Sequence, residues 1–427
     1  MKFQKDDSPK SFAEVLEFYE QFFPKPNGVK VGLEWERIGI WKNSKTPVGY
    51  TDDGGYRDIL NFLVKNHGWE IRDEENGNPF TLARGRTLIT TEGDGKPEIS
   101  GDRFSTLLEN ETEIKKIVAE INEFSGEKIK WLAVGHWPFS PHEKIPLAPK
   151  TRYQTFFDLF SEYADWMRRY MKALCGAHIN IGFESAAEMM AAAKALFRIS
   201  PALCGALANS PMENGKPAGV LCVRRKHIFD DASPGRERNP PNFLDPDFDF
   251  AAWLDFYFDR DIIAIFRGKK MKTIPPKKIP FREFFEKGLF GETARFSDID
   301  AHIKTCWVDM RPRPGYLEFR PLDSLELPEL LAAAALVKAI CRSEKIQNEI
   351  KNLTQKWDQK DFPKIHEIAI EKGFGEFAGI SFAEILEKVL PLAAENLGDE
   401  KKYLTPLKKI VAARKTPAEV FLEKNGF

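Results

Sequence analysis

Two glutamates, Glu34 and Glu36, stand two positions apart in residues 31–40, which read V-G-L-E-W-E-R-I-G-I. Because successive side chains of a β-strand point to opposite faces, both carboxylates would share one face, and Leu33 and Trp35 would share the other. Paired carboxylates on a largely apolar strand repel each other and cost desolvation, which a divalent cation would relieve. Oxygen ligands suit Mg²⁺ or Mn²⁺, so this spacing points either to a metal site or to a solvated strand face.

Three later segments repeat this alternation of polar and apolar side chains. Their polar residues are Glu92 and Glu98, then His178 and Asn180, then Glu318 and Arg320. An antiparallel sheet that helices cover on one side produces such an alternation. We therefore predict an α+β fold in which a curved antiparallel sheet has a polar metal- and ATP-binding face and helices packed on its back.

The polar face would gather five glutamates, one histidine and, with Arg224, two arginines. Acids in that number need more than one divalent cation to neutralise them. Carboxylates that hold Mg²⁺, which in turn bridges phosphate oxygens, are typical of ATP-dependent phosphoryl transfer. Arginines would then compensate charge on the transferring phosphoryl group or on an acidic substrate. The sequence has no P-loop motif and no kinase signature set, so the ATP site is expected to have another architecture.

Composition limits the class of protein. The 427 residues are 42% hydrophobic and 30% charged, and 63 basic side chains almost balance 64 acidic ones. This balance does not favour a nucleic-acid or membrane-surface protein. Five cysteines without a C-x-x-C pair predict a reducing compartment and no structural zinc site. The N-terminus lacks an apolar secretory region, so we expect a cytoplasmic protein.

Hydrophobic periodicity and Gly/Pro punctuation predict the remaining elements. Helices are expected over residues 11–23, 56–66, 106–125, 156–172 and 186–207, and from 327 onward. A hairpin is expected with strands at 304–310 and 316–320 around a turn at 311–315. The chain would divide into a catalytic domain, residues 1–325, and a C-terminal helical region, residues 326–427, packed on it.

Three other segments bear on the site. A basic run is expected to open a loop rather than to lie along a helix, and it comprises Arg224, Arg225, Lys226 and His227. Residues 230–247, rich in Asp, Pro and Arg, are predicted to form a lid or binding loop. His136 and His142 lie in a proline-rich irregular segment and are left out of the predicted site.

The order and chemistry of these motifs resemble the glutamate–cysteine ligases of the plant and proteobacterial type, a carboxylate–amine ligase family with a glutamine-synthetase-like fold. Five motifs between residues 31 and 324 carry the resemblance: G-L-E-W-E-R-I-G-I, T-T-E-G-D-G-K-P-E-I-S-G, G-A-H-I-N-I-G-F, L-A-N-S-P-M-E-N-G-K-P-A-G-V-L-C-V-R and M-R-P-R-P-G-Y-L-E-F-R. They are similar in order to the family's G-x-E-x-E strand, its L-E-P-G-G-Q-x-E-L-S-G segment, its strand with a Gln-or-His and Asn pair, its A-N-S-P stretch and its Y-L-E-x-R strand.

The resemblance implies a role for each residue of the polar face. The Mg²⁺ ligands would be Glu34, Glu36, Glu92, Glu98 and Glu318. His178 would join them or touch a phosphate, and Asn180 would help to bind the nucleotide. Arg224 and Arg320 would contact the nucleotide phosphates or the glutamate and act in catalysis. The family's reaction converts the γ-carboxylate of L-glutamate to a γ-glutamyl phosphate with ATP, and the amine of L-cysteine then displaces phosphate, which is the first step of glutathione biosynthesis.

Departures from the family pattern keep alternatives open. Trp35 stands where a His is common, Cys222 replaces a Ser, and Arg225 is an additional basic residue. A related ligase would join glutamate to another small amine. A phosphotransferase of the guanidine-kinase type would need a reactive cysteine near the acids, for which Cys306 is the candidate. A non-catalytic metal-binding relative is a third alternative, and the expected protein is a monomer or homodimer without nucleic-acid or membrane partners.

Overall fold

A computed structural model describes residues 2–23, 30–229, 234–267, 270–274 and 279–427. Its strands are β1 Val31–Glu36, β2 Ile38–Trp41, β3 Glu70–Glu75, β4 Asn78–Arg84, β5 Thr87–Thr91, β6 Pro97–Ser100, β7 Ile129–Leu132, β8 Gly176–Gly182, β9 Met212–Glu213, β10 Lys216–Pro217, β11 Ala264–Arg267, β12 Lys270–Thr273, β13 Met310–Arg313, β14 Tyr316–Asp323, β15 Glu376–Phe377 and β16 Ile380–Ser381.

Helices connect and cover these strands. They are α1 Phe12–Glu20, α2 Tyr56–His67, α3 Leu107–Ser125, α4 Thr151–Leu159, α5 Ala164–Arg168, α6 Ala186–Ala206, α7 Val223–Ile228, α8 Phe250–Phe258, α9 Phe281–Lys287, α10 Phe296–Lys304, α11 Leu327–Arg342, α12 Glu344–Leu353, α13 Phe362–Lys372, α14 Phe382–Asn396, α15 Thr405–Ala413 and α16 Pro417–Lys424. Within the described ranges, no helix is both long and apolar enough to span a bilayer.

An antiparallel sheet of eight strands dominates the described part of the chain, in the order β13-β14-β8-β1-β6-β5-β4-β3. Strand β1 lies near its middle, between β8 and β6. The order does not follow the sequence, since β8 and β14 return from far along the chain to pair beside β1. Residues separated by almost 300 positions therefore meet on one surface.

The back of this sheet is apolar, as the alternation predicts. Leu33, Ile179 and Phe319 are fully buried there, and each such side chain contributes about 1.5–3 kcal/mol to folding. Helices α2, α3, α6 and α11 contact β4, β1, β14 and β8 respectively. The indole of Trp35 donates a hydrogen bond to the carbonyl of Leu325 at 2.9 Å, just before α11. The predicted α+β fold, with a large antiparallel sheet and helices, is confirmed.

Several local elements differ from those predicted from the sequence. Strands β3 and β4 were not predicted, because β3 is a charged and largely exposed strand at the sheet edge without an apolar alternation. The helix expected over 156–172 is broken into α4, α5 and a wider π-helical turn, Arg169–Ala173. The segment 186–207, predicted as one or two buried helices around Pro201, forms the single helix α6, which continues through Pro201.

The hairpin is shifted relative to its prediction. Lys304 ends α10 instead of starting a strand, and the first strand is β13, which includes Pro312. Strand β13 lies at the edge of the sheet. Proline has no backbone N–H, but a strand at the edge has no further strand to which that group would have to donate. The turn is reduced to Pro314 and Gly315, so that Arg311 and Arg313 belong to a strand and not to a turn.

The basic run is helical, contrary to the loop that was predicted for it. Helix α7 contains all four of its residues, and Arg224 and Arg225 are buried rather than solvated. Arg225 forms a buried bidentate ion pair with Asp309, which anchors α7 beside β13. This pairing explains how an additional arginine is accommodated next to Arg224. In the lid segment, residues 230–233 lie outside the described residues, and 234–247 contain turns.

Helices α11 to α16 occupy most of residues 327–424, together with the short pair β15 and β16. Helix α11 packs on α6 and β8 through a run of buried alanine and leucine side chains. We propose the division at 325/326 as the boundary between the catalytic domain and its helical support, although one continuous apolar core joins them.

Candidate active site

The register of the central strands places the predicted residues in adjacent pairs. Glu34 of β1 lies opposite His178 of β8, and Glu36 lies opposite Glu98 of β6. The carboxylate-bearing Glu318 of β14 lies opposite Asn180 of β8. Because all these residues share one face of the sheet, their side chains converge on the side away from the apolar core.

Two side chains of β8 hold the carboxylate of Glu34. Its Oε2 lies 2.7 Å from Nδ1 of His178, and its Oε1 accepts a hydrogen bond from Nδ2 of Asn180 at 2.9 Å. Burial opposes ionisation of Glu34, but the His178 hydrogen bond and the charge of Arg320 outweigh it, so the pKa is lowered. Burial and Arg320 also lower the pKa of His178. A neutral ring that donates from Nδ1 keeps a lone pair on Nε2 for a metal or ligand.

Glu98 and Glu36 form an acidic half in which negative charge is poorly compensated. Glu98 is buried, and its Oε2 accepts a hydrogen bond from Thr90 at 2.9 Å. Burial, and then the neighbouring carboxylates of Glu34, Glu92 and Glu36, raises the pKa of Glu98 well above its usual range. Burial raises the pKa of Glu36 to about 7. The structure thus brings acids together at a free-energy cost that the protein's own groups do not offset.

One lysine moderates this acidic half. The ammonium of Lys96 lies 3.5 Å from Glu36 and 3.1 Å from Asp94, and all three groups are buried. Its charge lowers the pKa of both acids, although burial still raises them overall. Lys96 belongs to the same β5–β6 connection as Glu92, which lines the cavity at the acidic end.

Glu318 anchors a contrasting basic half. Arg311, opposite it on β13, donates to both carboxylate oxygens at 3.1 and 3.3 Å, and Arg320 also bonds to it. Burial raises the pKa of Glu318, but Arg311, Arg320 and Arg313 together lower it far more. Glu318 is therefore ionised and neutralised by protein groups, and the arginines carry the excess positive charge of this half.

Arg224 reaches the site from α7 instead of from the sheet. Its Nη1 donates to the carbonyl of Pro321 at 3.1 Å, and its Nη2 donates to the carbonyl of Arg320 at 3.2 Å. The guanidinium therefore lies against the β14 backbone at the point where the β8–β14 register shifts. A Cβ on Gly176 would lie 2.9 Å from Nη2, so the absence of a side chain at this position makes room for the guanidinium.

We expect Gly176→Ala to reduce turnover about 10–100-fold with little loss of stability, because the added methyl displaces the Arg224 guanidinium. Gly32→Ala is the matched control, since a Cβ on Gly32, also in the central sheet, has its nearest neighbour at 3.7 Å. Steady-state rates and thermal melts of both variants test this. Equal rates for the two variants would show that the position of Arg224 does not matter.

A cavity of about 550 Å³ lies over this face, within the range of ordinary ligand pockets. All the predicted acids and arginines line it, with His178, while Asn180 lies beneath them through its bond to Glu34. Residues that the prediction omitted also line it, including the aromatic side chains Tyr153, Phe156, Tyr170 and Trp307 and the cations Lys150, Arg152, Lys304, Arg311 and Arg313.

The acidic half suits a hard divalent cation. Ligand atoms of Glu34, Glu98 and His178 lie within 4.8 Å of one another. The Oδ1 atom of Asn180 is buried and makes no hydrogen bond. A set dominated by carboxylate oxygens, whose repulsion raises the Glu98 pKa, is the donor chemistry that Mg²⁺ or Mn²⁺ prefers.

Arg311 and Arg313 are the main functional candidates that sequence reasoning missed. Their two-residue spacing was visible, but the adjacent prolines led to their assignment to a turn. Had β13 been recognised, alternation would have placed both on the face of Glu318. The phosphotransferase candidate Cys306 is buried and is not among the residues that line the cavity.

The family model described as glutamate–cysteine ligase family 2 matches residues 30–426. Among curated proteins, the chain is 26% identical over 408 residues to a chloroplastic glutamate–cysteine ligase B of rice, covering 93% of this chain and 80% of that protein. It is 27% identical over 403 residues to a chloroplastic glutamate–cysteine ligase of Arabidopsis thaliana, covering 92% and 76%.

A solved structure is similar in fold. The crystal structure of a glutamate–cysteine ligase of Francisella tularensis, in complex with AMP, superimposes with a TM-score of 0.56 at 11% identity, covering 93% of this chain and 85% of that one. At this identity the likeness concerns the fold. The relatives also show that the expected cytoplasmic localisation is wrong, since those from rice, Medicago truncatula and Arabidopsis are named as chloroplastic proteins.

Proposed function

Because this chain belongs to glutamate–cysteine ligase family 2, we propose that it joins L-glutamate to L-cysteine through a γ-glutamyl amide bond, with ATP as the energy source. The reaction would proceed through a γ-glutamyl phosphate. A free carboxylate is a poor acyl donor, and phosphorylation supplies a leaving group that the cysteine amine can displace. The curated relatives make this acceptor the favoured one over another small amine.

One observation carries the proposal: a single cavity holds an acidic half around Glu98 and a basic half around Arg320, side by side on one sheet. Phosphoryl transfer needs cations near the phosphates and positive groups around the transferring oxygens. The division of charge across the cavity supplies both. The aromatic wall of Tyr170 and Trp307, whose ring centroids are 4.9 Å apart, adds an apolar surface beside the charged groups.

We assign the binding of Mg²⁺, or Mn²⁺, to the ligands of the acidic half, Glu34, Glu36, Glu92, Glu98 and His178, together with Glu318 from the adjoining basic half. The bound ions would neutralise phosphate oxygens of ATP. Asn180 holds the Glu34 carboxylate in place from below, and we assign it to nucleotide binding through this contact. His178 orients the other oxygen of Glu34, so that the two neighbours together fix this carboxylate.

In the basic half, Arg320 and Arg224 would contact the nucleotide phosphates or the substrate glutamate. Arg224 is already fixed by two carbonyl contacts, so it presents its charge with little conformational freedom to lose. Arg311 keeps Glu318 neutralised, which leaves Arg320 able to exchange its Glu318 contact for an anionic ligand. These groups act electrostatically and by orientation, without forming a covalent bond to substrate.

Phosphate release from ATP tests the function. With Mg²⁺ and L-glutamate present, we expect release to be fastest with L-cysteine and to yield a product with the mass of γ-glutamylcysteine. L-2-Aminobutyrate, which has the same backbone but no thiol, is the matched control and should react more slowly. Fast release with another amine would identify that amine, and not L-cysteine, as the acceptor. Absence of release with every amine would refute the ligase proposal.

A further inference from the structure

A second group of metal-ligating side chains lies outside the active-site cavity. It comprises His136, in the loop after β7, Glu213 on β9 and His227 on α7. None of the three is among the residues that line the cavity. The group is brought together by the fold, because its members are separated by up to 91 positions in the sequence.

The three side chains lie close enough together to bind one metal ion after small movements. Nε2 of His227 lies 2.8 Å from Oε1 of Glu213, and the two imidazole rings have centroids 5.3 Å apart. One ligand atom from each of the three side chains lies within 4.8 Å of the others. Both imidazoles are more than nine-tenths buried, which removes them from competition with bulk water.

His136 is the member of the group whose polar atoms the protein satisfies least. Both of its ring nitrogens are buried and lack a well-aligned hydrogen-bond partner, and the backbone groups of Met212 and Trp137 make only weak contacts with the ring. Leaving a buried polar group unsatisfied costs about 1–3 kcal/mol. A metal ion bound to one ring nitrogen would offset part of this cost.

We propose that His136, Glu213 and His227 form a second metal site that binds one late first-row divalent cation such as Zn²⁺. Imidazole nitrogens suit such ions, whereas Mg²⁺ prefers an oxygen shell like that of the acidic half. The absence of cysteine pairs excluded a cysteine-based zinc site, but it does not bear on a histidine and carboxylate site. Ion-to-ligand distances of about 2.0–2.2 Å require ligand atoms roughly 3.3 Å apart, so Glu213 must retreat slightly from His227 and His136 must approach.

The surroundings allow this adjustment. The Glu213 side chain is 30% exposed, so it can rotate and can give a metal and its water ligand a route from solvent. The charge of Arg169 acts on Glu213 and opposes a cation, but Arg169 is itself paired with Asp165 at 2.5 Å. A neighbouring group of His142, Glu143 and Asp165 is less suited, because both of its carboxylates are well exposed.

A metal at this position would tie α7 to the loop after β7 and to β9. Arg224 lies three residues before His227 on α7, so the site would fix the helix that carries a guanidinium into the cavity. We therefore expect Zn²⁺ to raise the melting temperature even when saturating Mg²⁺ already occupies the active site. This effect does not depend on catalysis, so it tests the second site separately from the ligase proposal.

The decisive experiment adds Cu²⁺ as a spectroscopic probe, and Zn²⁺ in parallel, to the full-length protein in saturating Mg²⁺. Electron paramagnetic resonance should show two imidazole nitrogens on one bound Cu²⁺. The acidic half of the cavity can supply one imidazole at most, from His178. A spectrum with one nitrogen or none, or no uptake of either metal at micromolar concentrations, would overturn the proposal without any variant.

Variants then assign the ligands. His136→Ala and Glu213→Gln should each weaken Zn²⁺ binding by about 100-fold or more, since even outer-shell losses cost 10–100-fold. His67→Gln is the matched control, because His67 is a partly buried histidine on α2 that faces one carboxylate, Glu123, at 3.2 Å. Retention of wild-type Zn²⁺ affinity in folded His136→Ala would overturn the assignment.

Discussion

Glu98→Gln is expected to lower ATP turnover by about 1,000-fold or more, corresponding to roughly 4 kcal/mol of lost electrostatic stabilisation, while making the metal-free protein more stable. Burial, and then repulsion from Glu34, Glu92 and Glu36, raises the pKa of Glu98. A carboxyl whose pKa is higher in the folded than in the unfolded state costs stability above its unfolded pKa, about 4.3. Replacing it with a neutral isostere removes this cost, and with it a proposed metal ligand.

Two measurements test the two halves of this prediction. Without Mg²⁺, the melting temperature of Glu98→Gln should be about 2 °C higher than that of the wild type. Added Mg²⁺ should raise the melting temperature of the wild type more than that of the variant, because the variant has lost a ligand. If Glu98→Gln retains wild-type turnover and the wild-type response to Mg²⁺, Glu98 does not bind the metal.

Glu120→Gln is the matched control for a buried glutamate. Glu120 is buried like Glu98, but it accepts hydrogen bonds from Arg84 at 2.7 and 2.9 Å and from the indole of Trp69 at 3.0 Å. Its replacement removes one partner of a satisfied pair, so we expect reduced stability and near-normal turnover. A gain of stability in Glu98→Gln and a loss of stability in Glu120→Gln would distinguish a functional acid from a structural one.

Arg320→Lys is expected to lower kcat by about 100–1,000-fold, a larger loss than one retained positive charge would suggest. Arg320 contacts Glu318, and its Nη1 lies 3.4 Å from Nδ1 of His178, so the guanidinium spans both halves of the cavity. Its Nε is buried and makes no hydrogen bond within the protein, so this donor is available to an anionic ligand. A lysine ammonium keeps the charge but loses the planar fork that can bond two oxygens at once.

The fold should survive this substitution, because Arg311 continues to pair with Glu318 at 3.1 Å. Arg267→Lys is the matched control, since Arg267 bonds Glu292 and Asp298 at 2.8 and 2.7 Å and does not line the cavity. Single-turnover measurements of phosphate formation should be slowed in Arg320→Lys and unchanged in Arg267→Lys. A near-normal rate in Arg320→Lys would move the phosphoryl-stabilising role to Arg224 or Arg311.

The sequence by itself determined the faces of the central strands. Side chains at i and i+2 share a face whatever the rest of the chain does, so Glu34 with Glu36 and Glu318 with Arg320 could be paired from their spacing alone. Their apolar neighbours indicated equally well which face would be buried. The prediction of strands failed where the alternation of polar and apolar side chains was not visible. This is the case in the charged edge strand β3 and in the proline-containing strand β13.

Only the tertiary structure decided which faces meet and what each charge faces. The order β14-β8-β1-β6 puts Glu318, Asn180, Glu34 and Ser100 on neighbouring strands, although they come from segments far apart in the chain. It also gives Glu318 two arginine partners and leaves Glu98 among like charges, a distinction that no spacing rule contains. The group of His136, Glu213 and His227 arises in the same way. Alternation is a property of a few consecutive residues, whereas pairing, burial and charge compensation depend on contacts between distant segments, which form only when the whole core packs.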